Sequence, residues 1–374
     1  MIKRAYDLKN LIKKNRVLVI YGARRVGKTT LLKDFLSKTE LKYKLDTGDN
    51  IRLQELFEAG DMNRILEYTE GYELIAINEA QYLRNVGKAL KIIVDYSENI
   101  YVVVTGSSSF ELQGQIGEPL TGRKRTLLLF PLSIQELYNV YNKFELREHL
   151  EDFLIFGTYP EVITSETKRE KIEILEEIVN SYLLKDILSF ERVKSSSILL
   201  NLLRLLALQV GQLVSMNELS TQLGIDIKTT QRYIDLLEKT FVIKKLEGFS
   251  RNPRKEITSK CKYYFIDNGI RNAVISNYNS LNLRNDKGAL WENFFVMEKI
   301  KKSTYERNLS VSYKFWRAYG GQEIDLIEES GEKTRAYEIK YNKQRVKVPS
   351  LWQKSYSNYE FFVVNKDNFL EFLV

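Results

Sequence analysis

One stretch near the start restricts this chain more than any other: Gly22-Ala23-Arg24-Arg25-Val26-Gly27-Lys28-Thr29-Thr30. An apolar, β-branched run, Val17-Leu18-Val19-Ile20-Tyr21, precedes it, and an amphipathic pattern over 28–36 follows. Its first eight residues fit G-x-x-x-x-G-K-[ST], and strand, loop, helix is the context that gives this spacing its meaning. Two glycines let the backbone curl so that successive N–H groups converge on an anion in front of a helix N-terminus. Lys28 then reaches the β- and γ-phosphates as a point charge, and the Thr29 hydroxyl ligates Mg²⁺. The expected cofactors are ATP and Mg²⁺. Base contacts come from loops without a readable code, so the sequence does not separate ATP from GTP.

Apolar runs at 17–21, 41–45, 73–78, 100–104 and 126–130 alternate with helical patterns at 28–36, 51–59 and 86–96. That alternation predicts an α/β fold with a parallel sheet, in which ligands bind beyond the carboxyl ends of the strands. Two of those ends are polar: Asn78-Glu79-Ala80-Gln81, and Thr105-Gly106 followed by Ser107, Ser108 and Ser109. Arg123, in Leu120-Thr121-Gly122-Arg123, is either a surface charge or a phosphate-sensing arginine. It could act in its own chain or from a neighbour, and the second case needs a homo-oligomer. Ser133 and Glu136 make a capping box after Pro131, and helices at 146–156 and 166–191 complete a helical lid. The first domain is expected over 1–194.

A second domain is expected over 195–283. Residues 216–224 read as a helix stopped by Gly224, and Asp226 caps a second over 227–240, the signature of a helix-turn-helix. Strands at 242–245 and 263–267 flank a basic loop, which makes the unit a winged helix. On DNA, Lys228, Thr229, Gln231 and Arg232 would face the groove, and Arg251, Arg254 and Lys255 would meet phosphates. This segment holds twelve Lys/Arg against seven Asp/Glu, five of the whole chain's net +8. The same helices could instead serve as a packing or protein-contact module.

The third domain, 284–374, reads as a helix at 287–301, strands at 311–316, 323–327 and 335–340, a helix near 349–356 and a strand at 361–365. This αβββαβ order resembles the PD-(D/E)XK nuclease core. Glu292 lies on the helix, Asp325 on one strand, and Glu338 and Lys340 on one face of the next. In such a site Asp325 and Glu338, with Glu292, would hold Mg²⁺, and Lys340 would stabilise developing charge. Glu and Lys are abundant here, so E-x-K alone is also what chance gives.

Taken together, GARRVGKTT, INEAQ, VTGSSSFEL, LTGR, FPLSIQEL and GTYPEV resemble a widespread family of prokaryotic AAA-type ATPases with a nuclease-like C-terminal domain of uncharacterised function. The resemblance covers nearly the whole chain. It implies that β-strand 73–78 is the Walker B strand, whose tip carries an Asp that anchors the Mg²⁺ shell and a Glu that activates water. Here the pair is Asn78 and Glu79, so binding should survive and turnover should be slow. It also implies that Thr105 and Ser107 hold the sensor position, which orients the attacking water.

Three functions follow as expectations: a slow ATPase whose nucleotide state controls domains acting on or near DNA, a nucleotide-dependent switch without significant hydrolysis, and an ATP-gated nuclease. Other classes are excluded. The single Cys261 leaves no internal disulfide or multi-cysteine metal site, and the single His149, in REHLED, reads as a solvated helix face. The longest apolar run, 198–214, is broken by Arg204 and Gln209, and no signal-peptide core opens the chain, so a cytoplasmic protein without membrane contact is expected.

Overall fold

Near-continuous apolar runs make strands buried on both faces, and five of them pair side by side in parallel. The computed structural model describes residues 2–106, 119–183, 196–250, 261–308, 310–318, 320–343 and 345–374. The five strands are β1 (Arg16–Tyr21), β2 (Tyr43–Thr47), β3 (Leu74–Asn78), β4 (Tyr101–Gly106) and β5 (Lys124–Leu128). Their order across the sheet is β2-β3-β4-β1-β5, and every pairing is parallel. Val17, Val19, Ile75, Ile77, Val102 and Val104 form one core cluster with Leu90 and Ile93 of a helix, Val86–Tyr96. Because β4 lies between β1 and β3, the tip of β4 stands beside both the loop after β1 and the tip of β3. The parallel sheet expected from the sequence is present. A helix at Met62–Thr69 was not expected, although Asp61 caps it by accepting from Arg64 N–H at 3.0 Å.

The chain packs as two compact units, one made of 4–130 with 239–241 and the other of nearly everything else. The expected division put 131–194 with the nucleotide domain. Its described helices group instead with the C-terminal half, and buried polar groups show why. Helix Leu150–Phe156 offers its last carbonyls to Asn272, whose Nδ2 donates to Leu154 O at 3.1 Å and Ile155 O at 2.8 Å. Asp267 accepts from Thr158 N–H at 2.7 Å, and Gly157 leaves room for that carboxylate, since a Cβ there would lie 1.9 Å from Asp267 Oδ1. Ser133 and Glu136 form the expected capping box, although the helix it opens runs only over Ile134–Leu137.

The second sheet has seven strands in the order β12-β11-β10-β9-β7-β8-β6. They are β6 (Leu213–Val214), β7 (Ile243–Gly248), β8 (Cys261–Phe265), β9 (Val311–Arg317), β10 (Glu323–Ser330), β11 (Lys333–Ile339) and β12 (Tyr359–Val364). The sequence separated the hairpin β7–β8 from the strands after 284. One parallel contact joins them: Glu247 and Gly248 of β7 pair with Lys314 and Phe315 of β9. Backbone hydrogen bonds between such distant segments leave no periodic trace in the sequence. Between Ile324 and Ile327 the pairing of β10 with β9 slips by one residue. This bulge keeps both isoleucines against Trp316 and Trp352 while re-aiming Asp325.

Helix Lys287–Tyr305 crosses this unit, and the residue before it, Asp286, is clamped by two arginines. Arg284 binds it through Nε and Nη2, both at 2.8 Å, and Arg271 Nη1 donates to Oδ2. Burial alone would raise the Asp286 pKa, but the Arg284 and Arg271 hydrogen bonds and charges outweigh it and hold the group at about 2. A folded pKa below the unfolded one gives stability that is present above the unfolded value and lost as pH falls through the folded one. Acid titration of the urea midpoint should therefore show a loss between about pH 4 and pH 2, and Asp286→Asn should flatten it. An unchanged profile in that variant would remove Asp286 as the cause. Among the described residues no helix is long and apolar enough to cross a membrane.

Candidate functional site

The loop after β1 is built by its glycines. Gly22 has φ 152° and a Cβ there would sit 2.1 Å from Leu129 O, so only glycine fits beside the continuation of β5. Leu129 N–H in turn donates to Tyr21 O at 2.7 Å. Gly27, at φ 92°, stands before helix Lys28–Lys38, and Arg25 is also left-handed at φ 59°. These three backbone turns curl the loop as an anion nest requires. Arg4 braces it from outside, donating to Val26 O and, at 2.7 Å, to Phe130 O. Val26 and Ala23 are buried and contribute backbone alone, while Thr30 points to solvent. Arg24 donates to the Tyr82 hydroxyl at 3.0 Å.

Lys28 is 4% exposed and its Nζ donates to Gly22 O at 2.9 Å and Ala23 O at 2.6 Å, so the ammonium lies in the mouth of the loop. Beside it the strand tips share one acceptor. Asn78 Oδ1 takes a hydrogen bond from Thr29 Oγ1 and another from Thr105 Oγ1, both at 2.8 Å. Thr105 Oγ1 also accepts Glu79 N–H at 3.2 Å, and Gln81 Nε2 donates to Glu79 Oε2. Glu79 itself has left-handed backbone at φ 53°, and its carbonyl lies against Gly48, where a Cβ would come within 2.1 Å. Left-handed backbone in a non-glycine residue costs energy and recurs at functional sites. Thr29, Asn78, Glu79 and Thr105 are thus brought together. A hydroxyl and an amide oxygen are hard donors that suit Mg²⁺, and the glycine cradle suits a phosphate chain. Ser107 lies outside the described residues.

A second polar cluster lies in the C-terminal unit. Lys340 Nζ bridges Asp325 Oδ2 at 2.8 Å and Glu338 Oε1 at 2.9 Å, and Ile339 N–H donates to Asp325 Oδ2 at 2.7 Å. Lys262 Nζ bridges Glu292 Oε1 at 3.1 Å and Glu323 Oε1 at 2.5 Å, while the Tyr264 hydroxyl donates to Glu292 Oε1 at 2.7 Å. Burial pushes Glu292 up to about 7, against the pull of Lys262, and burial followed by the Asp325 charge raises Glu338. The sequence reading brought Glu292, Asp325, Glu338 and Lys340 to one neighbourhood but missed Lys262, Tyr264 and Glu323. The available signal was the alternation in Cys261-Lys262-Tyr263-Tyr264-Phe265, where a lysine interrupts an otherwise apolar strand.

Residues 14–138 match the model of an AAA domain. The chain carries an AAA domain. The remainder of the match is to two domains of unknown function, DUF8612 over 147–285 and DUF4143 over 287–369. An uncharacterised protein of Haemophilus influenzae is 28% identical over 74% of this chain and 74% of its own length. Another, from Methanocaldococcus jannaschii, is 26% identical over 89% of this chain and 79% of its own. Among solved structures, a signal transduction ATPase with numerous domains from Pyrococcus horikoshii, with a tetratricopeptide repeat sensor, aligns at 14% identity. The alignment covers 77% of this chain but only 44% of that one, with a TM-score of 0.29, too low for a shared fold to follow.

Within the AAA domain, strand direction removes one of the alternatives open for Arg123. Arg123 precedes β5 at the end where Val17 N–H donates to its carbonyl, 2.9 Å away. The phosphate loop leaves β1 at the opposite end, beside Leu128. Five residues of strand, roughly 16 Å, separate them, and the Arg123 guanidinium pairs with Asp95 at 2.5 Å. It cannot sense a phosphate bound by its own chain, because parallel pairing puts the two ends of a strand on opposite sides of the domain. In the other unit, Lys228 and Arg232 are exposed on helix Ile227–Lys239, with Thr229 and Gln231 half-buried beside them. Thr229 hydrogen-bonds Asp226 at the helix start, at 2.8 Å from N–H and 2.6 Å from Oγ1. Gln231 donates to Asp235 at 2.8 Å. Arg251, Arg254 and Lys255 lie outside the described residues.

Proposed function

We propose that this protein binds ATP with Mg²⁺ at the loop 22–30 and hydrolyses it slowly, and that nucleotide state controls a C-terminal half acting on or near DNA. One observation carries the reading: Asn78 Oδ1 is the shared acceptor of the Thr29 and Thr105 hydroxyls, next to Glu79 and the Lys28 ammonium. Backbone N–H groups and Lys28 would hold the phosphates, and Thr29 and Asn78 would hold Mg²⁺. Glu79 would take a proton from water that Thr105 orients. An amide at 78 keeps the hydrogen bonds of a carboxylate without its charge, which leaves the metal less firmly held and turnover slow.

For the C-terminal half, a helix pair (Met216–Leu223 and Ile227–Lys239) followed by the β7–β8 hairpin supports a winged helix. The exposed Lys228 and Arg232 support a polyanionic partner. The strand and helix order after 284 supports a PD-(D/E)XK-like fold. A second reading, a switch that binds nucleotide without significant turnover, is favoured by the neutral Asn78.

Steady-state turnover of ATP separates the two. Asn78→Asp is expected to raise the rate about tenfold, as one recovered charge interaction of 1–2 kcal/mol would do, and Glu79→Gln to abolish it. Tight binding with no turnover in the wild type and full turnover in Asn78→Asp would establish the switch instead. Equal rates in wild type and Glu79→Gln would reject Glu79 as the base.

A further inference from the structure

The resemblance of the C-terminal domain to a nuclease implies a divalent cation between Glu292, Asp325 and Glu338, and the side chains gathered there do not fit one. We infer that the cation of this cluster is the Lys262 ammonium, set between the carboxylates by strand β8, and that the C-terminal half is not a metal-dependent phosphodiesterase. The inference is independent of nucleotide binding in the other unit.

Lys262 is 1% exposed, which is tolerable for an ammonium only where carboxylates surround it. It has two: Glu292 Oε1 at 3.1 Å and Glu323 Oε1 at 2.5 Å. Lys340 spans the other pair, Asp325 and Glu338, at 2.8 and 2.9 Å. Each carboxylate therefore already meets an ammonium. Mg²⁺ requires near-octahedral oxygens at about 2.1 Å, and a cation there would stand within ~5 Å of two ammonium groups that compete for the same oxygens. The oxygens that face the two ammonium groups carry further hydrogen bonds. Asp325 Oδ2 accepts Ile339 N–H, and Glu292 Oε1 accepts the Tyr264 hydroxyl. Glu338 Oε2 is buried without a hydrogen-bond partner. Among the described residues no three acidic, histidine or cysteine side chains come together to hold a metal.

The sheet explains why a lysine sits there. Lys262 and Tyr264 are two apart on β8 and share a face, and β8 belongs to the same seven-stranded sheet as β10 and β11. An ammonium from the hairpin thus ties it to Glu323 of β10 and to Glu292 of helix Lys287–Tyr305. The arrangement is an ionic joint between the sheet and helix Lys287–Tyr305. A phosphodiester approaching it would meet no bound metal to polarise it or to activate water.

Mn²⁺ titration of the full-length protein without nucleotide, followed by electron paramagnetic resonance, tests this, with plasmid nicking in Mn²⁺ measured alongside. Wild type and Asp325→Asn should bind Mn²⁺ alike, within about twofold, and neither should nick. Lys262→Met should gain a Mn²⁺ site about tenfold tighter than any in the wild type. Weaker Mn²⁺ binding in Asp325→Asn than in wild type would overturn the inference. So would Mn²⁺-dependent nicking by wild type that Asp325→Asn loses. Should Lys262→Met not fold, the comparison of wild type with Asp325→Asn still decides it.

Discussion

Lys28→Ala is expected to weaken ATP binding about 10²-fold or more, because hydrogen bonds to a charged group are worth ~1.5–3 kcal/mol each and two phosphates share this ammonium. The residue is buried at the mouth of the loop, where it donates to Gly22 O and Ala23 O, so backbone carbonyls help hold its charge over the loop. The phosphates would replace those neutral acceptors with charged ones, whose hydrogen bonds to an ammonium are stronger. Alanine removes the charge and leaves the glycine cradle unchanged. Lys28→Arg should not restore binding, since a planar fork does not occupy the place of a compact ammonium. A fluorescent-nucleotide titration reads the loss, with far-ultraviolet circular dichroism as the check that the sheet persists. Undiminished affinity in Lys28→Ala would remove the loop as the nucleotide site.

The largest effect on stability is expected from Lys301→Met. Lys301 Nζ, almost fully buried, donates to Glu298 Oε1 at 2.7 Å, Leu132 O at 3.0 Å and Thr158 Oγ1 at 3.1 Å. Glu298 Oε2 in turn accepts Ile134 N–H at 2.7 Å. The pair thus fastens the segment after Pro131 and the Gly157–Pro160 turn to helix Lys287–Tyr305. Removing one partner of a buried pair leaves the other charge uncompensated and costs about 3–5 kcal/mol. Burial already pushes the Glu298 pKa up and Lys301 pulls it back, so without Lys301 the carboxyl would take a proton rather than stay charged. Glu298→Gln added to Lys301→Met should therefore recover part of the loss, because the amide still accepts from Ile134 and brings no charge. Urea unfolding of the single and double variants measures both. A single variant within about 1 kcal/mol of wild type would show that water replaces the ammonium.

The motifs FPLSIQEL and GTYPEV take on a meaning from this that spacing alone did not give. Read along the chain, they belong to the nucleotide domain as its lid. In the structure Leu132, Ile134, Gly157 and Thr158 meet Glu298, Lys301 and Asp267, which come from 109 to 169 positions later. Hydrogen bonds between residues so far apart have no period for a sequence reading to detect. Arg123 shows the same limit from the other side: its residue type suits a phosphate, but strand direction puts it at the wrong end.

What the sequence determined by itself is what local physics dictates. A β-branched run, two glycines at fixed spacing, Lys28 and Thr29 specify a strand, a left-handed turn and a helix N-terminus regardless of the rest of the chain, because only these residues satisfy the backbone angles and the anion. Apolar alternation likewise specified five parallel strands. Tertiary structure alone decided which polar side chains meet. It placed Thr105 on Asn78 through strand order, joined the hairpin to the C-terminal strands through one parallel pairing, and set Lys262 against Glu292, where the sequence alone suggests a metal ligand. Those outcomes depend on register and on which charges must be neutralised once buried, and both are settled only when distant segments pack together.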